Sequence, residues 1–313
     1  VRIVFAGAGH ANIAALRRLA RAGVAAECVL VNDGPYAWYT GALPALIRGD
    51  IFGPQARIDV RRLAARCGAL FVNASVVGFE ADRLLLDGHE PIQFDFLALS
   101  TGGTRIPGGV KPIPELLDRV AGLAALARPR LGVLGAGAAG AELALALRHR
   151  LGPAAEIFLV GSMLLPKAPK RARDICARIL AAQKIPCLPA LPAGLDDVLH
   201  AYTPVPDLLI APTLLVAGRR RIFAAGDCAR MGTDMPHSGA IAARQGRHLA
   251  HNLQRALAGG ALKNFIPPRR TLAILSLTKG DALAWYGNRV WHGAFAARAK
   301  NWLDARWLRI DNG

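Results

Sequence analysis

Short, mostly apolar runs recur along this chain: Ile3–Ala6, Cys28–Val31, Leu131–Leu134, Ile157–Val160 and Ile222–Ala225. Their length and β-branched content suit buried strands. Glycines follow several of them, and then helical patterns begin, a first helix over Ala11–Ala22 and a long one after Gly140. Strand, glycine turn, helix and strand in succession predict parallel βαβ units. From Cys67 to Leu99 the pattern shortens to small strands (Leu70–Val72, Ser75–Phe79, Arg83–Leu86, Pro91–Phe94) with turns such as Asp87-Gly88, which reads as a β-meander. Residues 107–114 are rich in proline and glycine and read as a linker. Asp196–Thr203 offers one closing strand in the proline-rich stretch 185–221.

Composition narrows the class. The chain of 313 residues is 53% hydrophobic with 6% aromatic, which predicts a packed Ala/Leu/Val interior and argues against disorder. No run approaches the ~18 apolar residues of a membrane span, and the start shows no signal-peptide pattern, so the expectation is a cytoplasmic protein, or one peripheral on the inner face of the membrane. The net charge of +17 is not accompanied by a nucleic-acid motif, and no nucleic-acid partner is expected. The five cysteines (28, 67, 176, 187, 228) form no C-x-x-C or C-x4-C pair. That pattern suggests reduced thiols, mostly small buried residues, and excludes a redox disulfide within one local motif.

Two glycine turns carry the chemistry. In the first, Gly7-Ala-Gly-His-Ala-Asn12, the tight turn and the helix N-terminus beginning near His10 suit a pyrophosphate. Asn12 stands where the usual third glycine would be. The second, Gly135-Ala-Gly-Ala-Ala-Gly140, has all three glycines. The strand Ala26–Val31 ends on Asn32-Asp33, where dinucleotide folds bind a ribose hydroxyl, and Asp33 is the better candidate. The corresponding strand of the second unit ends on Gly161-Ser162 rather than an acid, with Lys167, Lys170 and Arg171 nearby, so NADH and NADPH are not distinguished. Ser100-Thr-Gly-Gly103 and Gly226-Asp227 close two further strands.

In this order, these four landmarks resemble the FAD-dependent pyridine nucleotide-disulfide oxidoreductase superfamily, over residues 1 to about 265. The Gly-His-Ala-Asn turn and Pro35-Tyr-x-x-Tyr-Thr-Gly-x-Leu-Pro44 resemble the branch of flavoproteins associated with selenide, water dikinase, relatives of type II NADH:quinone dehydrogenases and sulfide:quinone oxidoreductases. The resemblance implies an α/β fold of two Rossmann-like dinucleotide-binding domains: a discontinuous FAD domain (1–115 and 220–265), an apparently trimmed NAD(P) domain (116–219) and a C-terminal segment (266–313) that is basic and Trp-rich. It implies FAD at Gly7, Gly9, His10, Ala11, Asn32 or Asp33, Thr40, Gly41, Pro44, Thr101, Gly102, Gly226, Asp227, Ser238, Gly239 and Ala240. The helix from Ser238–Ala240 would direct its positive end at the flavin N1/C2=O2 edge. NADH or NADPH would lie at Gly135, Gly137, Ala138, Ala139, Gly140 and Glu142. Glu142 has a second reading, a buried helix carboxylate with a structural partner.

The implied activity passes a hydride from NAD(P)H to flavin and electrons on to a quinone-like or other small acceptor. No catalytic residue and no metal site is named. Two alternatives stand beside it: sulfide:quinone-type chemistry at Cys228, and a non-catalytic flavin module serving a selenium-handling or membrane partner. The short stretch Cys187–Asp196 leaves no room for the β-meander usual in the second domain. In the C-terminal segment Phe295, Ala299, Trp302, Leu303 and Ile310 share a helical face flanked by Arg298, Lys300 and Arg309, with Arg306 inside it. This suits a membrane interface, or equally packing on the FAD domain or on the mate in a homodimer.

Overall fold

The computed structural model describes residues 1–202, 204, 206, 208–232 and 238–312, the side chains of residues 309–312 excepted. Thr203, Pro236 and His237, part of the predicted strand and helix ends, lie outside the described residues. The chain opens with β1 (Arg2–Ala6), α1 (His10–Arg21) and β2 (Glu27–Asn32). A loop follows with β3 (Tyr36–Trp38), a 3-10 turn over Thr40–Ala42, α2 (Leu43–Arg48) and β4 (Arg57–Asp59). Next come α3 (Val60–Arg66), β5 (Ala69–Asn73), β6 (Val76–Phe79), β7 (Arg83–Leu86), β8 (His89–Gln93) and β9 (Phe96–Leu99).

The second unit holds α4 (Ile113–Ala124), β10 (Arg130–Leu134), α5 (Ala138–Leu151), β11 (Glu156–Val160), α6 (Lys170–Ala182), β12 (Cys187–Leu188) and β13 (Asp197–His200). The chain then returns through β14 (Leu208–Ile210), β15 (Ile222–Ala224), β16 (Ala229–Met231) and α7 (Gly239–Leu257). It ends in β17 (Leu272–Ser276), β18 (Ala282–Tyr286), β19 (Arg289–Gly293) and α8 (Ala294–Asn312).

The fold is α/β, built on two parallel sheets. The first has the order β15-β9-β1-β2-β5, and the second β12-β11-β10-β13. Both are covered by helices, so strands such as Ile3–Ala6 are buried without alternation. The antiparallel β6-β7-β8 is the predicted meander, while the short strands on either side of it, β5 and β9, belong to the main sheet instead. One apolar core gathers residues 3–99 with residues 210–265, so the returning chain joins it from β14 onward. A second core gathers residues 116–199 with Ile47 of α2 and Leu275, Leu277 and Leu283. The antiparallel β17-β18-β19 sheet thus packs on the second unit, which has no inserted strands between β12 and β13.

Two expectations are corrected. Lys300 does not flank the outer face of α8: it is buried, with its ammonium on a backbone carbonyl and a carboxylate. The cysteines are less buried than expected: only Cys28 and Cys176 are buried, Cys67 and Cys228 are half-buried, and Cys187 is exposed on β12, an edge strand of two residues.

Candidate functional site

The strand order β15-β9-β1 sets three distant chain segments side by side at the C-terminal edge of the sheet, where open α/β sheets bind ligands. Ser100 N–H donates to Ala6 O (2.8 Å), Ala225 N–H to Leu99 O (3.0 Å) and Gly9 N–H to Ser100 O (3.1 Å). The crowding explains both glycines of the first turn. Gly7 has φ +84°, and a Cβ there would lie 2.6 Å from Ser100 O. A Cβ on Gly9 would overlap the Ser100 carbonyl and hydroxyl. Gly9 caps α1 with no side-chain acceptor, so the first-turn N–H groups of His10 and Ala11 remain available for an anion.

Asn12 is fully buried, and its amide NH2 donates to Ala6 O (3.0 Å), Gly7 O (2.8 Å) and Ala98 O (2.9 Å). It ties the first turn to β1 and β9 where a third glycine would only allow close packing. The close approach is supplied elsewhere: a Cβ on Gly246 of α7 would overlap Ala11 O of α1. Asn32 is also committed to the turn, accepting from Ala8 N–H (2.9 Å) and donating to Gly34 O (2.9 Å). That leaves Asp33, exposed at the end of β2 and paired with Arg105 at 2.8 Å, as the carboxylate facing outward.

The loop after β3 is held from the C-terminal helix. Tyr39 O–H donates to Asp304 Oδ1 (2.8 Å), and Lys300 Nζ donates to Gly41 O (2.7 Å) and Asp304 Oδ2 (2.8 Å). Burial, with Asp304 beside it, pushes ionisation of the Tyr39 phenol well above its ordinary range. Gly41 sits under the Tyr39 ring, where a Cβ would come within 2.6 Å, so Thr40-Gly41 is pinned on both sides. Pro44 is buried in the first turn of α2, where its missing N–H costs nothing.

At α7, Ser238 accepts from Ile241 N–H (3.3 Å), and Ser238, Gly239 and Ala240 are exposed. His10 lies against this terminus, its Nε2 3.0 Å from where a Gly239 Cβ would be. Burial lowers the His10 imidazole to about 4, opposed by Asp227 and assisted by Lys111, so the ring is neutral near pH 7. Gly226 N–H donates to the buried Gln245 amide (2.9 Å), fixing the turn that carries Asp227. Lys111, from the linker, reaches over Gly102 to within 3.8 Å of Asp227 Oδ2. No sequence signal marked it, since a lone linker lysine has no motif.

The second turn repeats the geometry of the first. Gly135 (φ +114°) faces the Ala201 carbonyl and the Tyr202 Cβ, and a Cβ on Gly140 would overlap Gly135 O. A Cβ at Gly137 meets nothing within 4 Å, and Gly137, Ala138 and Ala139 begin α5 with free N–H groups. Glu142, one turn on, accepts from Ser276 N–H (2.6 Å). Burial lifts its carboxyl to about 7, against the pull of Lys300 and that hydrogen bond. Ser276, Lys300 and Asp304 all come from residues 272–312, so this cluster was not legible as a motif. The expected acid after β11 is replaced by Gly161, which packs against Ala136. Lys170, one of the cations nearby in sequence, is paired with Asp174 of its own helix. The Cys228 thiol donates weakly to Ala225 O (3.4 Å), and burial pushes it up, away from thiolate.

Two glycine turns on two parallel sheets, each ending in a free helix N-terminus, define a protein built for two dinucleotides. Residues 1–190 match the family described as Pyridine nucleotide-disulphide oxidoreductase, and the chain belongs to that family. It is an FAD-dependent NAD(P)H oxidoreductase. Ferroptosis suppressor protein 1 of Xenopus tropicalis is similar, at 23% identity over 355 aligned positions covering 96% of this chain and 92% of that protein. The fold is shared with the sulfide:quinone oxidoreductase of Aquifex aeolicus (TM-score 0.78, 15% identity, covering 98% and 90% of the two chains). NDH2 from Plasmodium falciparum, solved in complex with NADH, superposes equally well (TM-score 0.78, 12% identity, covering 99% and 97%). The residues present fit FAD: an uncapped helix terminus, strand ends stripped of Cβ atoms at Gly7 and Gly9, and an outward carboxylate at Asp33.

Proposed function

We propose that this protein takes a hydride from NADH or NADPH onto its flavin and passes the electrons to a quinone-like acceptor. The observation that carries this reading is the convergence of Glu142, Thr40-Gly41 and the C-terminal Ser276, Lys300 and Asp304 beside the second core. When bound, FAD supplies the two-electron chemistry, and the chain positions and tunes it. Asp33 would hold the adenosine ribose, with His10, Ala11 and Lys111 on the pyrophosphate and Asp227 beside it. Thr40, Gly41, Pro44 and the α7 terminus would line the ring. Gly137, Ala138 and Ala139 would hold the nucleotide diphosphate, with Glu142 at the nicotinamide side. A carboxyl near 7 stands ready to give or take a proton at neutral pH, which reduction of a quinone requires.

The names of two similar folds, a sulfide:quinone oxidoreductase and an NDH2 solved with NADH, support this reading. Cysteine chemistry is less favoured, because the half-buried Cys228 is bonded as a thiol donor and held away from ionisation; Cys228→Ala should leave turnover intact. The decisive experiment is anaerobic titration of the purified protein with NADH and then NADPH, read in the flavin absorption band. Bleaching by one of them, reversed by a short-chain quinone, is expected. Failure of both nucleotides to bleach bound flavin would make this a non-catalytic flavin module.

A further inference from the structure

Between α1, α7 and α8 lies a cleft of about 1060 Å³. Arg17, Arg18 and Arg21 of α1, Arg247 of α7 and Arg306 of α8 line it, and none of the described residues lining it is a carboxylate; Arg17 has a partner of its own. Among the described residues, the guanidiniums of Arg18, Arg21 and Arg247 make no ion pair or hydrogen bond. Arginine is abundant throughout this chain, but its other described cations often meet acids, as Arg119 meets Asp197 and Arg130 meets Glu156. Concentrating unpaired guanidiniums in one concavity costs repulsion that an anionic occupant would relieve.

The wall and rim of the cleft are of a different character. Trp302 and Leu303 line it, and Arg306 stacks over the Trp302 ring at 5.4 Å. Along the outward face of α8, Phe295 (71% exposed), Trp302 (54%) and Leu303 (40%) stand in solvent beside the exposed Arg298. A free inorganic anion would need no apolar rim, and a hydrocarbon would need no arginines. Adjacent cationic seats and outward indole and alkyl groups match an amphiphile with a negative head at a bilayer interface.

We propose that this cleft seats the headgroup of an anionic phospholipid, with Trp302, Leu303 and Phe295 entering the interface around it. The site is shared by helices of the FAD-turn unit and by the C-terminal helix, so neither alone forms it. Its inner wall, Trp307, stacks on His10 of the first glycine turn at 4.8 Å and 15°. The proposal deepens the quinone-acceptor reading, since a lipid-dissolved acceptor would be met at that surface, but its test does not depend on turnover.

The purified full chain is mixed with vesicles of pure phosphatidylcholine and with vesicles containing about one third phosphatidylglycerol, and sedimented at moderate salt. Binding is expected only to the second. The triple variant Arg18→Gln/Arg21→Gln/Arg247→Gln should bind at least about tenfold more weakly, since each interfacial cation contributes of order fivefold. Arg128→Gln/Arg219→Gln/Arg220→Gln, three exposed arginines elsewhere, removes the same charge and should weaken binding less than about threefold. Trp302→Ala should also weaken binding, without changing net charge. Equal weakening by the two triple variants, or equal binding to both kinds of vesicle, would overturn the proposal. Flavin absorbance and NADH bleaching are recorded on the same samples. A protein that binds phosphatidylglycerol through the cleft but is not bleached would sink the acceptor reading and leave the lipid site standing.

Discussion

Asn12 is the residue on which the first turn depends. Its amide is spread over three carbonyls from two strands and the turn between β1 and α1, in a place no water reaches. Asn12→Ala should lower the unfolding free energy by about 2–3 kcal/mol in a urea titration, because buried carbonyls lose their donor. Asn12→Gly, which completes the usual glycine pattern, should not restore it. Glu142 makes a prediction of opposite character. Its carboxyl is raised from 4.5 to about 7 in the folded protein, so between those values the folded chain holds a proton that the unfolded chain has released. Stability therefore falls as pH rises through that window and levels off above it. Relative to Glu142→Gln, the natural protein should lose about 2–3 kcal/mol between about pH 5 and about pH 8, measured by urea unfolding at each pH. A difference that does not change with pH would mean Glu142 ionises normally.

At the scale of elements, α1 and α7 decide whether the first site has the right shape. They pack close because Gly246 has no side chain against the Ala11 backbone. Gly246→Ala should cost about 1–3 kcal/mol by overpacking, seen as a lower thermal midpoint, and should weaken FAD binding because the α1 terminus must shift. The strands, helices and glycine turns were legible because their signals are local: apolar runs for β1, β2, β10 and β11, and phosphate-suited turns at Gly7 and Gly135. The role of Gly246 was not legible, since a glycine inside a helix says only that something may approach. Lys300 was misplaced on a solvent face for a similar reason. A helical wheel knows the phase of a side chain but not what lies opposite, and here that is the Gly41 carbonyl and Asp304.

At the scale of the whole molecule, the linker ties the two units together at Asp227, beside the proposed FAD site. Arg119 of α4 grips Asp197 at the start of β13 in a two-pronged pair, and Lys111 extends from the same linker to Asp227 on the first unit. Lys111→Gln should weaken FAD binding by the apoprotein about three- to tenfold. The effect should shrink at high salt because the ammonium is partly exposed, and fluorescence titration at two ionic strengths would check it. By itself, the sequence determined the two βαβ units, the order of the ligand-facing strand ends and the class of ligand, because glycine turns and buried strands are written in neighbouring residues. Only the tertiary structure decided which ends become neighbours. The order β15-β9-β1 brings Gly226, Ser100 and Gly7 together, and the last forty residues return to place Ser276, Lys300 and Asp304 around Glu142 and Gly41. Most such contacts join residues far apart in the chain, and their energies depend on burial and facing charge, which no local pattern encodes.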